Sequence, residues 1–278
     1  MTYVSALTTK HRSLVMAGLC ASLALSSLAS AASASLKLSP PSPPSQPSPP
    51  SLEASVASLV ADRVPLEGVE VSLPDESPSG QARALLWAAD TRPVPNIVHI
   101  VSPGALIPAS SMATFARTLA DTRGSLVLVV DYDWPVFRES PAEQAKAFTF
   151  ARAFSPKADV EIFGHSAGGA ILAPVTDAPP ANVRRIVLFG VSRLFVSPTA
   201  PRVPVRLISG ARDGLVSDEG LVELGRLFDA APERLPEVNH FCIVDGEAGS
   251  PESRAQDGAT TLDAKACADK VVEAWFGR

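Results

Sequence analysis

Five short, largely apolar runs constrain this chain more than any other feature: residues 96–102 (NIVHIVS), 125–131 (SLVLVVD), 158–163 (ADVEIF), 185–189 (RIVLF) and 205–209 (VRLIS). A strand with one solvated face alternates apolar and polar residues. A continuous run is what a strand covered on both faces shows, and such strands belong to parallel sheets. Stretches with helical spacing lie between the runs. Met112, Phe115, Ala116 and Leu119 share one helix face, and Gly124 stops that pattern. Residues 141–154, a stretch starting at Ala167, residues 217–228 and residues 261–276 also read as helices. Residues 68–73 and 82–89 read as antiparallel starter strands, and 234–238 as the last strand. This alternation predicts an α/β domain: one doubly wound, mostly parallel sheet with helices on both faces.

The first 52 residues have a different texture and contain no acid. Lys10, His11 and Arg12 precede an apolar, small-residue run over 13–28, followed by Ala29-Ser30-Ala31 and Ala32-Ser33-Ala34. A positive start, a short apolar run and a small-residue site form a secretory signal peptide, here residues 1–34. Ser22, Ser26 and Ser27 interrupt the run, which is short for a membrane span. An acid-poor, Ser/Ala-rich head also suits plastid or thylakoid-lumen targeting. Residues 35–60 form a Pro/Ser-rich spacer. Seven of the chain's 26 prolines fall within 40–51, where they permit only extended polyproline II. Such Ser-Pro spacers resemble those of extracellular, wall-associated glycoproteins. Residues 61–278 remain for the folded domain.

Composition excludes some functions. Lys and Arg total 24 against 29 Asp and Glu, and no basic stretch occurs, so a nucleic-acid partner is not expected. Three cysteines and four histidines are too scattered for a zinc module, and no metal or organic cofactor is implied.

The chemistry gathers just beyond strand ends. Gly164-His165-Ser166-Ala167-Gly168-Gly169 follows a strand and opens a helix. G-x-S-x-G in that context is a nucleophile elbow, with Ser166 raised on a tight turn at a helix N-terminus. A serine needs a base. His11 lies in the leader, His99 in a buried strand, and His165 flanks the serine. That leaves His240, which follows the last strand in VNHF. Asp213, just past VRLIS in SGARDGLVS, is the candidate for orienting His240. Asp177 and Asp245 are out of place relative to strand ends, and Val191 and Ser192 hold the alternative acid position. Backbone amides of Ala167 and Ala105 are the expected oxyanion donors, since Pro103 has none to offer.

Together VSPGALIPASS, GHSAGG, SGARDGLVS and VNHF resemble the α/β-hydrolase superfamily over about residues 80–278. The series PGALIP…FARTLA, VDYDWPVF, GHSAGGA, RDGLVS and NHF…QDGAT is similar to the α/β-hydrolase fold-5 subgroup, related to dienelactone-hydrolase-like esterases. The resemblance implies an eight-stranded sheet, a Ser166–Asp213–His240 triad, and oxyanion donors at Ala105 and Ala167. It implies no particular substrate. Cys242, two residues past the histidine, departs from the pattern.

Once the leader takes Cys20 away, Cys242 and Cys267 remain as an even pair, expected to form a disulfide in an oxidising compartment. Between RIVLF and VRLIS there is no room for a large cap domain, so the site should be open. Tyr132 and Trp134 are assigned to one wall of the substrate pocket, with Asp131, Asp133 and Phe137 near them and His165 beside the nucleophile. The expectation is a monomeric, secreted serine hydrolase acting on small-molecule carboxylic esters, without stable membrane insertion after leader removal. Acyl transfer, thioester or amide cleavage by the same residues is the alternative, as is a catalytically silent binding or wall-associated protein.

Overall fold

Every one of the five apolar runs is a strand in the computed structural model, which describes residues 66–72, 83–89, 96–132, 157–195 and 197–277. They are β3 (Ile97–Ser102), β4 (Leu126–Asp131), β5 (Asp159–His165), β6 (Val183–Phe189) and β7 (Val205–Gly210). With β1 (Leu66–Ser72), β2 (Arg83–Ala88) and β8 (Glu233–Leu235) they form one eight-stranded sheet in the order β1-β2-β4-β3-β5-β6-β7-β8. β2 runs antiparallel to both β1 and β4; all other neighbours are parallel.

Side chains alternate across the sheet and build two cores. Val98, Ile100, Leu128, Ile162, Leu188 and Leu207 face one way, where Leu172 and Leu224 cover them. Val101, Val129, Phe163, Val187 and Ile208 face the other way, against Phe115, Leu119, Val271 and Trp275. Helices therefore cover both faces. A 3₁₀ turn (Ala109–Met112) leads into α1 (Ala113–Arg123), which Gly124 ends in the left-handed region at φ 56°. Helix α4 (Asp218–Phe228) opens with the Ser217 hydroxyl accepting from Gly220 N, and α6 (Ala264–Phe276) with Asp263 accepting from Ala266 N.

Four readings need adjustment. The helix from Ala167 is two short pieces, α2 (Ala167–Ala170) and α3 (Ala173–Asp177), because Gly168 and Gly169 pack against neighbouring backbone and Pro174 opens a new turn. β8 stops at Leu235 rather than 238, as Pro236 follows and Glu237 is left-handed at φ 65°. α6 begins at 264 rather than 261, where its Asp263 cap sits. Helix α5 (Pro251–Gln256) was not anticipated, although Ser250 as cap and proline in its first turn announce it. The leader 1–34, the spacer 35–60, the helix over 141–154 and Trp134 lie outside the described residues.

The described residues between β6 and β7 hold no helix or strand, so no cap domain is inserted there. No helix among the described residues is long and apolar enough to cross a membrane. Strand β3 lies between β4 and β5, so the chain leaves it in opposite directions. Ligand crevices open at the carboxyl ends of strands beside such a reversal. The loop after β3 and the turn after β5 meet there.

Candidate active site

Ser166 stands on the turn between β5 and α2, at φ 52° and ψ −125°. A non-glycine residue in this region costs of order 1–3 kcal/mol and persists only where its surroundings over-determine it. The surroundings here are main chain. Ser166 N donates to Phe189 O at 2.9 Å, while Ser166 O accepts from Gly169 N and Ala170 N, both at 3.0 Å. A Cβ on Gly164 would stand 2.4 Å from Gly169 Cα, and one on Gly168 would stand 2.1 Å from Pro103 O. The elbow can close this tightly only with glycine at both positions.

The β3 loop lies across it. A Cβ on Gly104 would sit 3.0 Å from Ser166 Cβ, which puts the 103–105 backbone directly against the serine. Ala167 is the first residue of α2, where an amide has no intrahelical acceptor. The two amides expected to face a developing oxyanion thus belong to segments that flank Ser166.

Asp213 and His240 are brought together. The His240 Nδ1 to Asp213 Oδ2 distance is 2.9 Å, and both side chains are almost wholly buried. The other carboxylate oxygen, Oδ1, accepts from Leu215 N at 2.9 Å and Val216 N at 3.1 Å, so the acid is fixed in rotation. Because a carboxylate only accepts, Nδ1 is the donor in this contact, and Nε2 is the ring nitrogen that Asp213 does not engage. Gly190, left-handed at φ 64°, makes room: a Cβ there would approach the His240 ring to 3.0 Å. Gly190 directly follows Phe189, the residue that holds Ser166 N, and this brings the His–Asp pair to the serine's side of the sheet. No hydrogen bond joins the Ser166 hydroxyl to His240 among the described residues. Bonds of this kind commonly tighten only when a reacting group is present.

Two residues expected to line the pocket are buried. His165 is fully buried, and its Nε2–H donates to His240 O at 3.0 Å, so it braces the histidine loop instead of lining the mouth. Burial, followed by the neighbouring His240, lowers its pKa well below the usual histidine value and keeps it neutral. Tyr132 is also buried. Ser102 Oγ donates to Gly168 O at 2.8 Å and meets Tyr132 Oη at 2.7 Å, so Tyr132 supports the elbow from beneath. Cys242 and Cys267 are joined by a disulfide with Cα atoms 5.6 Å apart, tying the histidine loop to α6. Asp257 went without a role in the sequence reading, yet its carboxylate accepts from His240 N at 3.0 Å and Phe241 N at 3.1 Å.

No protein-family model matches the chain, and no curated protein matches it. Solved structures do. LpqC, a poly(3-hydroxybutyrate) depolymerase from Bordetella parapertussis, aligns over 84% of this chain and 96% of its own, at 15% identity and TM-score 0.59. A dienelactone hydrolase-like promiscuous phosphotriesterase from metagenomic libraries aligns over 75% and 97%, at 19% identity and TM-score 0.54. An α/β serine hydrolase without lid from Xanthomonas campestris aligns over 64% and 87%, at 16% identity and TM-score 0.52. The fold is that of the α/β hydrolases, and these structural neighbours include serine hydrolases and dienelactone-hydrolase-like proteins.

Proposed function

We propose that this protein is a serine hydrolase of carboxylic esters, with Ser166 as nucleophile, His240 as base and Asp213 as orienting acid. The observation that carries this reading is the buried 2.9 Å His240–Asp213 pair beside a strained, glycine-built elbow. In the reaction Ser166 Oγ attacks the acyl carbon while His240 Nε2 takes its proton. The Ala105 and Ala167 amides hold the oxyanion, and the imidazolium returns its proton to the departing alcohol. Water, deprotonated by the same nitrogen, then releases the acid from Ser166. Asp213 keeps the ring oriented and stabilises the imidazolium. None of these steps calls for a metal or organic cofactor.

The same reading takes residues 1–34 as a cleaved leader and 35–60 as a spacer, with the mature domain outside the cytosol as a monomer. The Cys242–Cys267 bridge supports that compartment, since disulfides persist where thiols are not kept reduced. A fluorophosphonate probe tests the core of the proposal. The wild type should label on Ser166 and cleave short p-nitrophenyl esters, and Ser166→Ala should do neither. An unlabelled wild type that is inert on those esters sinks it.

A further inference from the structure

We propose that Asp257 is a positioning residue that sets His240 against Asp213 by clamping together the two loops that carry them. The proposal rests on the hydrolase reading above. Asp257 follows α5 and belongs to neither loop. Its Oδ1 accepts from His240 N at 3.0 Å on the histidine loop and from Gly214 N at 3.3 Å on the acid loop. Its Oδ2 accepts from Phe241 N at 3.1 Å. One carboxylate therefore reads the amides adjoining both members of the pair.

The chain around it completes the clamp. Gly258 N donates to Arg212 O at 3.0 Å, and Arg212 Nη1 donates to Ala259 O at 3.0 Å. Asn239 Nδ2 donates to Gly258 O at 2.6 Å. Arg212 and Asn239 immediately precede the acid and the base. Gly214 has to be glycine here, because a Cβ on it would come within 1.9 Å of Gln256 O.

The residue type follows from the donors. Amides from two loops converge on one side chain, and only an ionised carboxylate can accept from all of them with both oxygens. Asparagine would turn an NH₂ toward one of those N–H groups. A helix-ending residue that merely stabilised α5 would need no bond to either catalytic loop.

Asp177 provides the control. It makes the same kind of clamp, accepting from Thr199 N, Thr199 Oγ1 and Ala200 N at 2.7–3.0 Å, on a loop that carries no triad residue. Asp257→Asn should lower kcat by about 10²-fold with KM held, the loss expected when a reacting group is misplaced by about 1 Å. It should also shift or broaden the downfield NMR proton of the His240–Asp213 hydrogen bond. Asp177→Asn should change neither. If Asp257→Asn melts lower but keeps wild-type kcat and an unmoved resonance, Asp257 is only a structural cap and the proposal is overturned. Should that variant fail to fold, Asp257→Glu carries the test. A several-fold fall in kcat at constant KM supports the clamp, and wild-type kcat overturns it. Failure of the hydrolase reading would appear separately, as a wild type that never labels, while the resonance still reports on the clamp.

Discussion

The two halves of the candidate site are built from different materials. Ser166 is held by main chain: strand register, the amide bond to Phe189 O, and glycines that let three segments touch. His240 hangs beyond β8, an edge strand of three residues, and is held by side chains. Asp213 holds its ring, His165 its carbonyl and Asp257 its amide, and the Cys242–Cys267 bridge anchors the loop two residues later. A strand interior fixes a residue through its ladder, whereas a loop leaving a short edge strand has no ladder to rely on. The Ser166 side should therefore break when atoms are added, and the His240 side when atoms are removed.

Ser166 gives the largest effect. Ser166→Ala should lower kcat by on the order of 10⁶-fold, the scale seen when a triad nucleophile is lost. Ser166→Gly should be equally inactive yet more stable by about 1 kcal/mol, because glycine adopts φ 52° without strain. Thermal melts of the two variants separate strain from chemistry; a glycine variant no more stable than the alanine one would mean the elbow is relaxed. Next comes an added atom. Gly168→Ala places a methyl 2.1 Å from Pro103 O and 2.4 Å from Ser102 O, both backbone atoms that cannot swing aside. It should destabilise by more than about 4 kcal/mol, read by denaturant unfolding. A mild effect would show that the elbow can open despite these backbone contacts.

Removing atoms from the other side should cost slightly less. The disulfide closes a loop of sequence separation 25, worth about 3.5 kcal/mol in the chain-entropy treatment. Cys242→Ala with Cys267→Ala should lose stability of that order. Cys267 is fully buried and Cys242 nearly so, so reductant under native conditions should act slowly and denaturant should speed it. Equal unfolding midpoints for the double variant and the wild type would remove the bridge from the set of restraints on His240.

This division also explains what was legible in the sequence. The sheet was readable because buried parallel strands are largely apolar runs between helical patterns, and all five such runs are strands. Ser166 was readable because the glycines its turn requires are themselves a motif. Asp213 and His240 were readable from their places after β7 and β8. The restraints on the base were harder to see. Asp257 lies 17 residues beyond His240, and nothing in a linear chain says that its carboxylate returns to that amide. His165 was expected in the pocket beside the nucleophile, yet its ring is fully buried. Successive residues leaving a strand face opposite ways, and the one before the elbow points into the core.

His165 offers the smallest effect and the clearest sign. Burial and the neighbouring His240 hold its pKa well below the usual value, so it stays neutral in the folded protein while an unfolded chain would protonate it near pH 6.5. The unfolded state then binds more protons below that pH, and stability falls as pH falls, by about 1.4 kcal/mol per unit for one group. Above pH 7 the contribution is constant. His99 is also lowered, burial outweighing Glu161, so the wild-type curve alone cannot isolate one ring. His165→Gln can, since its amide still donates to His240 O but does not titrate. The stability difference between variant and wild type should be flat above pH 7. It should then move in favour of the variant by that slope from pH 6.5 downward, with activity at pH 7.5 within a few-fold of wild type. Parallel stability curves would mean that His165 takes up a proton in the fold. The carbonyl of His240 would then be held by a charged donor, and the base side would rest on one more ionic contact than its geometry indicates.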